Sequence, residues 1–241
     1  MVSVESKVDV PAIVTAGRTS ALALAAYRED RTSPERFWNF QEAHWDLNRF
    51  AMGLPKSDVA VSDVPWTKDK MGLFMRKRRF GKAFYPNFAL FLPEIASTAE
   101  GLKLLAKAYP QMGWSEQDIN GVQNVDQSGN PLTLFGHLMV ESSIDAPCTR
   151  MNEDQAREAV RKAVRIPQTL NVYAEAGHVS KLLSPTFQYL DEDRTTVRIL
   201  SSRVFGRVVH ALFSPLGYCY VRWFLLPGYA HARLGVRSVG A

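Results

Sequence analysis

Residues 194–226, RTTVRILSSRVFGRVVHALFSPLGYCYVRWFLL, govern how the rest of the chain is read. Extended to residue 241, the segment holds arginines at 194, 198, 203, 207, 222, 233 and 237, and no lysine, aspartate or glutamate. Phe205, Phe213, Tyr218, Tyr220, Trp223, Phe224 and Tyr229 lie among them. At helical spacing, Val197, Leu200, Val204, Val208 and Ala211 make one apolar stripe. Arg194 and Arg198 fall on one shoulder of it, Arg203 and Arg207 on the other. An apolar floor with cations on both edges predicts an amphipathic helix lying in an interface. Asp191-Glu192-Asp193 precede it, where the helix dipole favours acids. Pro215 ends the predicted helix, and 216–226 forms a second, aromatic segment with Arg222 as its one charge. Residues 204–226 are long enough to cross a bilayer, but Arg207, His210, Pro215 and Arg222 disfavour a free-standing span. A charge near the bilayer centre costs roughly 2.5–3.5 kcal/mol on insertion scales.

Charge is segregated along the chain. The tail contributes +7 and the segment 68–82 contributes +6, whereas the whole 241-residue chain sums to +5. An acidic body therefore carries two basic patches. The second patch, KDKMGLFMRKRRFGKAFYP at 68–86, interleaves Arg76, Arg78 and Arg79 with Phe74, Phe80, Phe84 and Tyr85. Cations to neutralise phosphate and rings to stack on bases suit nucleic acid, and the same composition suits a membrane surface or an acidic protein.

The remainder reads as helical. Ser33 as N-cap, Pro34 at the first helical position and Gly53 past the end predict a helix over 33–52, with Phe37, Phe40, His44, Leu47 and Ala51 on one face. His44 there reads as a core histidine rather than a haem or metal ligand. Ahead of it, residues 1–32 form an extension or targeting-like helix, with Ser20 near its N-cap and a composition of Ala, Ser, Thr and Arg. Ser97 and Glu100 make a capping box for a helix over 97–109, and Ser115 with Asp118 starts a shorter one. Asn152 caps a helix over 153–165 that Pro167 closes, and a further helix spans 169–183. The apolar run 132–140 fits either helix or strand, and only 87–92 and 186–190 read as extended. The expectation is a mainly α, irregular helical domain with few or no strands: a body over 33–193 and an anchor over 194–241.

Familiar catalytic classes are excluded. The sequence has no P-loop, no Gly-x-Gly-x-x-Gly, no His-Glu-x-x-His and no Gly-x-Ser-x-Gly. Two cysteines, Cys148 and Cys219, are too few for a disulfide framework. Glu175-Ala-Gly-His178 matches half of a di-iron motif, but no second Glu-x-x-His exists. No cofactor, metal site or catalytic residue is assigned. The residues expected to meet a partner or lipid are Arg194, Arg198, Arg203, Arg207, Arg222, Trp223, Arg76, Arg78 and Arg79. Together these features point to a non-catalytic accessory subunit of a mitochondrial inner-membrane assembly of respiratory-chain or ATP-synthase type. Its partners would be other protein subunits and anionic lipid. The alternatives are an RNA-binding component of an organellar ribosome and an orphan enzyme without a recognisable motif.

Overall fold

Local signals settle the helices. The computed structural model describes residues 9–76, 78–80, 83–85, 87–110, 119–141, 143–186, 188–192 and 194–240, with 78–80 and 83–85 described by backbone alone. In chain order the elements are α1 (Val10–Glu29), α2 (Pro34–Met52), α3 (Lys68–Met75), β1 (Arg78–Phe80), β2 (Ala83–Tyr85), β3 (Asn87–Leu92), α4 (Glu94–Ser97) and α5 (Gly101–Ala108). After these come β4 (Gln123–Asn124), β5 (Gly136–Glu141), α6 (Glu153–Lys162), β6 (Ile166–Pro167) and α7 (Leu170–Leu183). The chain closes with β7 (Thr196–Val204), β8 (Arg207–Phe213), β9 (Cys219–Arg222), β10 (Leu234–Val236) and β11 (Ser238–Gly240). Ser33, Asn152 and Thr169 cap α2, α6 and α7 through their side chains, and Gly53 ends α2 at φ 70°. The helix expected near Ser115 lies outside the described residues.

Strands overturn the mainly α expectation. Nine of them build two largely antiparallel sheets, ordered β10-β7-β8-β9 with β4 also on β7, and β3-β5-β11-β6. The fold is α/β. The largest correction falls on 194–214, where the expected amphipathic helix is the β7–β8 hairpin. Its stripe was real but incomplete. Ile199, Val209 and Phe213, which fall off that stripe, are as buried as Val197, Leu200 and Val204. A strand covered on both faces reads as a continuous apolar run, so helical spacing can be picked out of it by chance. Its β-branched residues favour the extended chain.

Smaller corrections have similar causes. The run 132–140 yields β5, and 186–190 forms no strand among its described residues. The capping box at Ser97 does not form; Gly101 N–H instead donates to Thr98 Oγ1, and Ser97 Oγ donates to the Glu94 carbonyl. Asp9 rather than Ser20 caps α1, because the helix already begins at Val10. Asp191, expected in a helix start, sits at φ 57° and is buried against Arg237.

Helix α7 is the centre. Leu170, Val172, Tyr173, Ala174, Glu175, Ala176 and Val179 are all fully buried, and it touches β3 of one sheet and β7 and β8 of the other. Gly177 makes the closeness possible: a Cβ there would lie 2.3 Å from the Phe213 ring. Arg28 and Arg31 of the α1 side donate to the carbonyls of Leu182 and Leu183, satisfying the open C-terminal end of α7. At its other end Asn171 donates to the Ala96 and Thr98 carbonyls at 2.7 and 2.8 Å, and Ser202 Oγ accepts from Leu170 N–H.

Candidate functional site: a buried polar cluster and an arginine–aromatic strand edge

Two groups of polar and aromatic side chains stand out. The first surrounds α7. Tyr109, just beyond α5, donates to Glu175 Oε2 at 2.6 Å, and His44 Nε2 lies 3.1 Å from Glu175 Oε1 and 2.8 Å from Tyr109 Oη. Asn48, one turn along α2 from His44, donates to Tyr109 Oη at 3.1 Å. His178 stacks on Tyr109 with ring centroids 3.8 Å apart. Burial first, then the neighbouring Glu175, holds the Tyr109 phenol well above its ordinary pKa. Burial likewise pushes the His178 imidazole well below its own. A carboxyl, a phenol and two imidazoles in contact can share protons. Yet Glu175 has no exposed surface and His44 only 3%. Among the described residues no group of three or more His, Cys, Asp or Glu is placed to hold a metal. The cluster satisfies its own hydrogen bonds and presents little of itself to a substrate.

The second group is open. β9 is the terminal strand of its sheet, and its residues alternate: Cys219 and Val221 face inward, Tyr220 and Arg222 face solvent. Register explains the alternation. Cys219 pairs with Phe213 and Val221 with Ala211, on the side that meets the core, whereas Tyr220 pairs with Leu212 and Arg222 with His210 on the opposite side. Tyr218 and Phe224 extend the outer row at either end. Tyr218 and Tyr220 rings lie 6.1 Å apart, and the Arg222 guanidinium sits 5.8 Å from the Tyr220 ring and 5.9 Å from that of Phe224. The four side chains form an unbroken ladder of ring, ring, cation and ring.

Comparison with known proteins finds no family model, no curated protein and no solved structure that matches the chain. The site must therefore be read from its own chemistry.

The residues singled out in the sequence do not all reach this edge. Arg222 stands at its middle, and Trp223 turns inward against the core. Arg207 is exposed at the start of β8 and Arg194 is exposed ahead of β7. Arg198 is buried, donating to the carbonyls of Met151 and Tyr229 at 3.0 and 2.8 Å. Arg203 is part-buried, bonded to the Gly206 carbonyl and paired with Glu153 at 3.3 Å. Arg76 is exposed at the end of α3, which packs on β3 of the other sheet. The side chains of Arg78 and Arg79 lie outside the described residues. His210, beside Arg198, is held at a pKa of about 4 by burial and then by that cation.

Sequence reasoning missed Tyr218, Tyr220, Phe224 and Phe205 as site residues. The signal was present in Tyr218-Cys219-Tyr220-Val221-Arg222, an outward polar-aromatic residue at every second position. In the buried cluster Glu175 and His178 were flagged by their spacing, whereas Tyr109 and Asn48 carry no motif.

Proposed function

We propose that the protein is a binding module for single-stranded nucleic acid, RNA first, held along the β9 edge. The observation that carries this reading is the exposed ladder Tyr218–Tyr220–Arg222–Phe224 on a terminal strand. Rings at this spacing offer successive bases a stacking surface of no sequence preference, and Arg222 and Arg207 supply charge for the phosphates. The segment 194–241 contains no acid to repel a polyanion. The membrane-anchored accessory subunit drew its support from the charge segregation and from the apolar, acid-free tail, read in part as an amphipathic helix over 194–214. With strands there, the apolar floor and its flanking cations are not on one surface. Among the described residues no helix is long and apolar enough to cross a membrane.

The test is a fluorescence-anisotropy titration of the full chain with a labelled single-stranded oligouridylate, a duplex of equal length and phosphatidylserine vesicles. The expected result is preference for the single strand, with Tyr220→Ala weakening it roughly tenfold, since one base stack contributes about 1–3 kcal/mol. Arg222→Gln should lower the slope of log K against log salt by about 0.7, one phosphate's share. Binding to vesicles but not to the single strand would return the anchor reading. Binding to neither would leave the edge to a protein strand, which adds to a sheet edge through main-chain hydrogen bonds.

A further inference from the structure

The β7–β8 hairpin ends in a two-residue turn, Phe205-Gly206, fixed by the pairing of Val204 with Arg207. Both turn residues have positive φ, 49° at Phe205 and 75° at Gly206. Turns of this hand select Asn-Gly or Asp-Gly, because a large L side chain is strained at positive φ. Phe205 is nevertheless there, and its side chain is 89% exposed. The residue gains nothing from packing and bears a backbone strain that Asn would avoid. Strain kept without a packing return is a marker of function.

Its surroundings indicate which function. Arg203 braces the turn from within by donating to the Gly206 carbonyl at 3.0 Å, and Arg207 stands exposed on the other side of the tip. β9 runs antiparallel to β8, with Arg222 opposite His210 and Cys219 opposite Phe213. The ladder from Tyr218 to Phe224 therefore advances toward the end of the sheet that carries Phe205. A strand of bases laid along the ladder leaves the module past an exposed ring with the Arg207 cation beside it.

We infer that Phe205 is a wedge that inserts between bases as the nucleic acid passes the hairpin tip. Insertion of an apolar side chain into a base step unstacks it, and the exposed Arg207 beside the tip supplies charge for a neighbouring phosphate. This inference rests on the reading of β9 as a nucleic-acid edge, and it adds a second contact of different kind: Tyr218 and Tyr220 receive bases on an open surface, whereas Phe205 separates two of them.

Phe205→Asn tests it, because the backbone and the ligand then pull in opposite directions. The substitution relieves positive-φ strain, so the melting temperature of the full chain should rise by roughly 2–4 °C. Affinity for a single strand carrying a fluorescent adenine analogue should fall roughly tenfold, the worth of one lost stack. The fluorescence rise that reports unstacking on binding the wild type should vanish. If Phe205→Asn melts higher and binds and unstacks as the wild type does while Tyr220→Ala binds weakly, the wedge is refuted and the β9 edge stands. If both variants bind like the wild type, or no single strand binds at all, the edge reading fails and the wedge falls with it. Loss of vesicle rather than oligonucleotide binding in Phe205→Asn would make the tip a membrane-inserting residue and overturn the proposal.

Discussion

The polar cluster around Glu175 and the ladder on β9 are built from the same kinds of side chain and behave as opposites. In the first, Tyr109 and His44 converge on one carboxyl, Asn48 donates to Tyr109, and the group is enclosed by α2, α5 and α7. In the second, Tyr218, Tyr220, Arg222 and Phe224 face water, and ring and cation contacts link them along the row. A buried polar group costs free energy unless it is bonded, so a closed network tells of a specified core. Exposed rings in a row gain little for stability, so their place in the sequence calls for a partner. The same contrast divides the arginines: Arg198 and Arg237 are spent inside the fold, Arg207 and Arg222 are turned outward.

Mutations can sharpen or break that contrast. The largest effect should come from Glu175→Ala, which strips Tyr109 and His44 of their common partner in a site without water access. Urea unfolding should show a loss of roughly 2–6 kcal/mol, about 1–3 kcal/mol for each of the two buried groups left without its partner. A loss below about 1 kcal/mol would mean the cluster is not a core feature and reopen it as a site. Acid should act next. His210 has its pKa lowered from 6.5 to about 4 and His178 is lowered too, so the unfolded chain takes up protons that the folded one refuses. Stability is full above pH 6.5 and falls as pH drops toward 4, by up to about 1.4 kcal/mol per unit for each histidine. His210→Phe should flatten that part of the profile. Gly177→Ala comes third, at roughly 1–3 kcal/mol, because its methyl must displace the Phe213 ring that stacks on Tyr189. The smallest change belongs to the outer row: Tyr220→Ala should stay within about 0.5 kcal/mol of wild-type stability while binding weakens roughly tenfold. Destabilisation by several kcal/mol there would show that the row is structural and erase the distinction.

How much of this was legible in the sequence follows the same division. α2 and α6 announce themselves through Ser33 and Asn152, because a cap is a local bond between residues three apart. The sheets do not, because their pairings join residues far apart and their inner strands hide the alternation that marks a strand. The hairpin tip was doubly concealed, since Phe-Gly lacks the usual turn chemistry. Summed charge misled as well. Seven tail arginines read as one patch, but Arg237 is fully buried on Asp191 and on the carbonyls of Ser143 and Ile144, which no spacing rule anticipates. Of the outer ladder only Arg222 was legible as a site residue, by composition.

Arg237 also sits where the chain passes from β10 in one sheet to β11 in the other, and β11 lies between β5 and β6 rather than at an edge. Residues 136–141 and 166–167 therefore cannot be joined until residues 238–240 have been made and brought back to them. The bond from Ser238 Oγ to Glu141 Oε1 closes a loop of 97 residues. Such long closures slow folding, since the entropy of the loop is lost before any contact rewards it. A nascent chain stalled before residue 238 holds the second sheet open, with β5 exposing the edge that β11 later fills.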